Sequence, residues 1–181
     1  MFEKIRNRKI RRALEQFVSE KPVAKFPDIQ KLSSCIIILD ENDKGIIKNM
    51  ESRVKTLFGI SCCRFVILCN QFSEDILQSD LYCEITPKDF GFMDVLKPEK
   101  HEFVRKLPST HLLVNMAVKH PDISDYLSTL PRTDFRVCFH SSRNIKVYDL
   151  VIENSEDADL ISNVEVLYKY LTALSGGPKT Q

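Results

Sequence analysis

Apolar and polar positions alternate along the chain in two rhythms. From Phe2 to Glu20 the apolar residues recur at helical spacing. Phe2, Ile10, Ala13, Leu14 and Phe17 fall within one arc of roughly 120°, while Lys4, Arg8, Lys9, Arg11 and Arg12 lie mainly on the other side. This predicts an amphipathic helix over residues 1–20, ended before Pro22, whose ring disfavours helical geometry in the residue it follows. Residues 21–33, with Pro22 and Pro27, read as an extended connection.

The second rhythm is the short unbroken apolar run. Ser34 to Asp40 is apolar on both faces, as a central strand of a parallel sheet covered by helices must be, and Arg64 to Cys69 is a second such run. Between them Ile46, Ile47, Met50, Val54, Leu57 and Phe58 mark a helix, with Gly59 placed to end it in the left-handed conformation. Strand, helix and strand over this span form a βαβ unit. Residues 70–108 are less regular, with a short strand at Leu81 to Thr86, an irregular apolar lid or short helix at Phe90 to Leu96, and a brief helix from Glu99 to Leu107. His111 to Ala117 reads as a strand and Pro121 to Leu130 as a helix with Pro121 at its first position. Phe135 to Phe139 and Val147 to Ile152 read as two strands whose link, His140 to Lys146, is too short for a crossover helix, which predicts an antiparallel hairpin at the sheet edge. A last helix runs from about Glu156 to Leu174, capped by Asn154 or Ser155.

These elements predict an α/β fold: a three-layer sandwich around a mostly parallel sheet of five or six strands, with an antiparallel edge hairpin and an extra N-terminal helix. The layout is a basic helix at 1–20, a connection at 21–33, one α/β domain at 34–174 and a flexible tail at 175–181. The longest apolar runs, Cys35 to Leu39 and Phe65 to Cys69, are far short of the roughly 20 residues of a membrane helix. The N-terminus also lacks the apolar stretch of a secretion signal, so the expected setting is cytoplasmic.

Composition then removes several kinds of chemistry. The 181 residues include five glycines, at 45, 59, 91, 176 and 177, and none stand at the spacing of a dinucleotide fingerprint or a P-loop. The six cysteines lie mostly in β-like apolar runs, where a reduced thiol acts as a small hydrophobe, and a disulfide framework is not expected. Without a C-x-x-C pair, and with Cys62 and Cys63 pointing to opposite faces, no metal site is expected, and no cofactor signature is present. The net charge of +1 hides an asymmetry. Residues 1–25 hold eight Lys or Arg against three acids, or +5, leaving 18 bases against 22 acids, or −4, elsewhere.

Ligands of open α/β sheets sit beyond the C-terminal ends of the strands, so the candidate ligand-binding residues are Asp40, Asn70, Asn115 and His140, with His120 close by in sequence to Asn115. Asp40 has two readings: a metal-binding or nucleophilic carboxylate, or a plain strand-to-helix turn residue, and the absence of a second aspartate two residues on favours the turn. Cys138 and His140 share a strand face, but a mid-strand cysteine between Val137 and Phe139 should be buried and inert, so no catalytic residue is assigned. Asp149 is expected to face solvent on an edge strand, the alternative being a pairing with a buried base. Lys4, Arg8, Lys9, Arg11 and Arg12 are candidate contacts to phosphates or anionic headgroups, against the plainer reading of a solvated outer helix face.

The patterns Leu112-Leu-Val-Asn-Met, Tyr126-Leu, Phe135-Arg-Val-Cys-Phe, Tyr148-Asp-Leu-Val-Ile and Tyr168-Lys-Tyr-Leu171 resemble a group of small uncharacterised proteins from Bacteroidota bacteria, over about residues 30–172. The resemblance implies a bacterial cytoplasmic setting and supplies no catalytic residue. The leading expectation is a non-enzymatic binding or interaction protein that meets an anionic partner through its basic helix. The alternative is a small-ligand or nucleotide-type enzyme at the strand ends.

Overall fold

The run Ser34–Asp40 forms strand β1, and all seven of its residues are buried. In the computed structural model, which describes residues 2–70, 82–91, 95–105, 110–139, 144–153 and 159–175 (side chains of 2–4 and 110 excluded), β1 lies third in a six-stranded sheet. The others are β2 (Cys62–Leu68), β3 (Tyr82–Ile85), β4 (Thr110–Asn115), β5 (Thr133–Cys138) and β6 (Leu150–Val151), in the order β3-β2-β1-β4-β5-β6. All pairings are parallel. The chain moves outward from β1 to β3, then returns past β1 to lay down β4, β5 and β6. Strand order therefore reverses between β1 and β4.

Among the described residues five α-helices cover the sheet: α1 (Phe2–Glu20), α2 (Ile47–Phe58), α3 (Pro98–Arg105), α4 (Pro121–Thr129) and α5 (Leu160–Leu174). Side chains alternate between the faces of each strand, so each central strand feeds two cores. Cys35, Ile37, Leu39, Phe65 and Ile67 pack with Met50, Val54 and Phe58 of α2 and Leu167 and Leu171 of α5. Ile36, Ile38, Val66 and Leu113 pack with Ile10 and Leu14 of α1, Val104 of α3 and Leu127 of α4. Each fully buried Ile or Leu contributes roughly 1.5–3 kcal/mol, so the unbroken apolar runs carry much of the sheet's stability. Gly59 ends α2 at φ 66°, its N–H bonded to the Lys55 carbonyl at 3.0 Å, as its position in sequence predicts. Asp159 caps α5 by accepting from the Ser162 N–H at 3.2 Å; the caps expected at Asn154 or Ser155 lie outside the described residues. Among the described residues no helix is long and apolar enough to cross a membrane.

The antiparallel edge hairpin is not formed. β6 pairs with β5 in parallel, Val137 beside Leu150 and Cys138 beside Val151. The expected strand from Val147 is in fact two paired residues, preceded by a single 3-10 turn at Ile145–Val147. Val147 and Tyr148 are buried against the α1, α3 and α4 side of the sheet. The link between strands is thus longer than the sequence pattern implied, and its described residues cross a face of the sheet with a single 3-10 turn. That crossover lets the chain re-enter in the parallel sense.

The same segment holds α1 in place. Asp149 does not face solvent: its side chain is buried and pairs with Lys21, the residue after α1, at 2.5 Å. Lys21 also donates to the Tyr148 carbonyl at 3.0 Å. The Arg136 guanidinium, on β5, lies 4.8 Å from the centre of the Phe17 ring and donates to the carbonyls of Ser128 and Pro131, both at 3.0 Å.

Candidate functional site

In a parallel sheet the point where strand order reverses leaves a crevice at the C-terminal edge, where the connections after the two flanking strands part to opposite faces. Here those strands are β1 and β4. Asp40, the last residue of β1, reaches across this crevice. Its Oδ2 accepts the backbone N–H of Val118 at 2.6 Å and of Lys119 at 3.1 Å, both in the connection after β4. The Asp40 N–H in turn donates to Asp43 Oδ2 at 3.2 Å, in the 3-10 turn that follows β1. Burial first, and the neighbouring Asp40 charge second, push the Asp43 carboxyl above its usual range.

Asn70 stands on the same edge, two residues past Leu68, which is Asp40's register partner. Its N–H donates to Glu41 Oε2 at 3.0 Å, and its side-chain Oδ1 lies 3.2 Å from His120 Nε2 at the start of α4. Asp40, Asn70 and His120 are therefore gathered, through Glu41 and the connection after β4, at the reversal point. Beside them Lys44 pairs with Glu84 at 2.7 Å. Burial pulls the Lys44 ammonium down, but its bond to Glu84 and nearby negative groups outweigh this and leave it raised. Burial, reinforced by Glu84, pushes the Cys69 thiol up to about 11.

Asn115 is not part of that edge cluster. It is fully buried on the α1, α3 and α4 side, where its Nδ2 donates to the Tyr148 hydroxyl at 2.6 Å and its Oδ1 accepts the Ala117 N–H at 3.1 Å. The Tyr148 hydroxyl donates to Asp125 Oδ1 at 2.6 Å and lies 3.2 Å from Ser128 Oγ. This network lies under α4. Its sequence trace is weak: Ser124, Asp125 and Ser128 fall on the buried side of a helix otherwise apolar there. His140 lies outside the described residues.

A cavity of about 60 Å³ at this edge is lined by Arg6, Cys69, Thr86, Phe90, His120 and Ile123. It is well below the roughly 300 Å³ at which small-molecule pockets begin. A larger groove, about 400 Å³, runs between α1 and the start of α4, with Asn7, Arg11, Glu15, Asp122, Asp125 and Asn144 on its walls. Among the described residues no group of three or more His, Cys, Asp or Glu is placed to hold a metal ion.

The basic helix has its apolar stripe spent on the fold, with Ile10 and Leu14 buried. Arg8, Arg11 and Arg12 are exposed and Lys9 is half-buried, while the Lys4 side chain lies outside the description. Residues three and four apart on a helix are about 5–6 Å apart, so the three arginines form one compact cationic face. Arg6, on the inner side, sits 5.9 Å from the centre of the Phe90 ring.

A family model described as "Family of unknown function (DUF6913)" matches residues 3–174. No curated protein and no solved structure matches the chain.

Proposed function

We propose a binding role for this chain, which belongs to the DUF6913 family of unknown function: a non-enzymatic α/β protein of the bacterial cytoplasm that contacts an anionic partner through the outer face of α1. One observation carries the reading. The helix is fixed to the sheet by Ile10 and Leu14 and by the Lys21–Asp149 pair at its exit, so Arg8, Arg11 and Arg12 are presented on a rigid support. Preorganised guanidinium groups lose less conformational freedom on meeting phosphate or carboxylate than cations on a mobile arm would. Because the apolar face is covered, the contact is electrostatic and does not involve insertion of the helix into a lipid layer.

The test uses heparin as a polyanion probe, with the intact chain and an Arg8→Gln, Arg11→Gln, Arg12→Gln variant. The intact chain should be retained and elute with salt, and the variant should elute at clearly lower salt with an unchanged circular dichroism spectrum. Equal elution of the two would overturn the reading.

The alternative, a small-ligand or nucleotide-type enzyme, rests on Asp40 and Asn70 at the reversal between β1 and β4 of a Rossmann-like strand order, Asn115 being turned inward. It requires a nucleotide to protect the protein against thermal unfolding, and Asn70→Ala to remove that protection.

A further inference from the structure

We propose that Cys35 and Cys63 form an oxidisable dithiol that hydroperoxides convert to a disulfide linking β1 to β2. The two residues are register partners on adjacent parallel strands. Register partners project to the same face, and both thiols lie in the core beneath α2 and α5. Their sulfur atoms are 3.3 Å apart and hydrogen-bonded. Neighbouring strands run about 4.8 Å apart, inside the roughly 4.4–6.8 Å between Cα atoms that a disulfide spans. Closing the sulfurs to about 2.05 Å asks for little more than 1 Å of approach. None of the six cysteines is disulfide-bonded in the structure.

Both cysteines are buried, which excludes bulky reagents, but each is the second residue of its strand, two positions after the exposed Ser33 or Ser61 that precedes it. Fraying of the strand starts at that edge of the sheet would admit a small peroxide. In the first step one sulfur, as thiolate, attacks a peroxide oxygen and breaks the O–O bond. This gives a sulfenic acid and releases water, or an alcohol from an alkyl hydroperoxide. The second thiol then attacks the sulfenic sulfur, forms the S–S bond and expels a second water. The thiols together lose two electrons and two protons, and the peroxide is reduced by two electrons. The hydrogen bond with Cys63, together with burial, holds the Cys35 thiol well above its ordinary value, so the reaction should be slow near neutrality and faster as pH rises. The disulfide would close a loop containing the whole of α2 and restrict the unfolded chain accordingly.

The experiment treats the full chain with hydrogen peroxide, blocks remaining thiols after unfolding, and maps peptides without reduction by mass spectrometry. Expected are a loss of about two mass units, a linked pair of peptides carrying Cys35 and Cys63, reversal by dithiothreitol, and a higher thermal midpoint for the oxidised form. The same link should form in a Cys62→Ser variant, which separates Cys63 from its half-exposed neighbour. Oxidation confined to Cys62, a disulfide dimer through Cys62, or loss of the link in Cys62→Ser would each overturn the proposal. So would free thiols at both positions after oxidant has consumed Cys62.

Discussion

The Lys21 ammonium lies 2.5 Å from the Asp149 carboxylate, with the two side chains 14% and 4% exposed. The pair ties the exit of α1 to the crossover between β5 and β6, and the other Asp149 oxygen accepts the Arg136 N–H at 2.7 Å. Removing one side of a buried pair strands the other charge. Lys21→Ala and Asp149→Ala are each expected to cost about 3 kcal/mol in urea unfolding, and the double variant much less than their sum.

Tyr148→Phe removes one hydroxyl and leaves the Asn115 amide and the Asp125 carboxylate each short of a bond. A loss of about 1–3 kcal/mol is expected from denaturant titration, with little change in the slope of the transition.

Deleting residues 1–20 and neutralising Arg8, Arg11 and Arg12 should give different results. The deletion uncovers the sheet face that Ile10 and Leu14 bury, so a lower thermal midpoint and self-association are expected by scanning calorimetry and size-exclusion chromatography. The arginine substitutions touch exposed positions and should each shift stability by no more than about 0.5 kcal/mol.

Alkaline pH should weaken the fold. The Cys69 thiol ionises near 9.0 when unfolded and near 11 when folded, so between these values the folded chain holds a proton that the unfolded chain has released. By linkage, stability then falls as pH rises through this window. Cys35 and Cys83 are shifted in the same direction. The raised Lys44 adds to it, since its contribution is complete below 10.5 and is lost as pH rises through its folded value. In Cys69→Ala the decline, followed by urea midpoints from pH 8 to about 11, should be shallower.

Much of the layout is legible in the sequence because one force fixes it. β1 and β2 are unbroken apolar runs that fit a two-sided sheet, and Gly59 sits where a helix needs a left-handed residue. The edge strand departs from its sequence pattern for a local reason. Val147 and Tyr148 are apolar enough to look like strand, yet they are buried in the crossover that precedes β6. The burial of Asp149 leaves no local sign because its partner, Lys21, is distant in sequence. The same holds for the candidate site. Asp40 and Asn70 stand on one sheet edge because Asp40 is in register with Leu68, as the βαβ pattern implies, whereas Asn115 is drawn inward by a tyrosine hydroxyl from a different connection.

The bonds from Val118 and Lys119 to Asp40 give the reversal point a particular character. Two backbone N–H groups aimed at one oxygen are the kind of donor pair that captures a free carboxylate or phosphate. In this chain they hold a carboxylate that is covalently tethered and cannot diffuse away. A soluble anion arriving there competes with a resident one, and replacing Asp40 by alanine would turn a structural fastening into two unsatisfied donors open to such an anion.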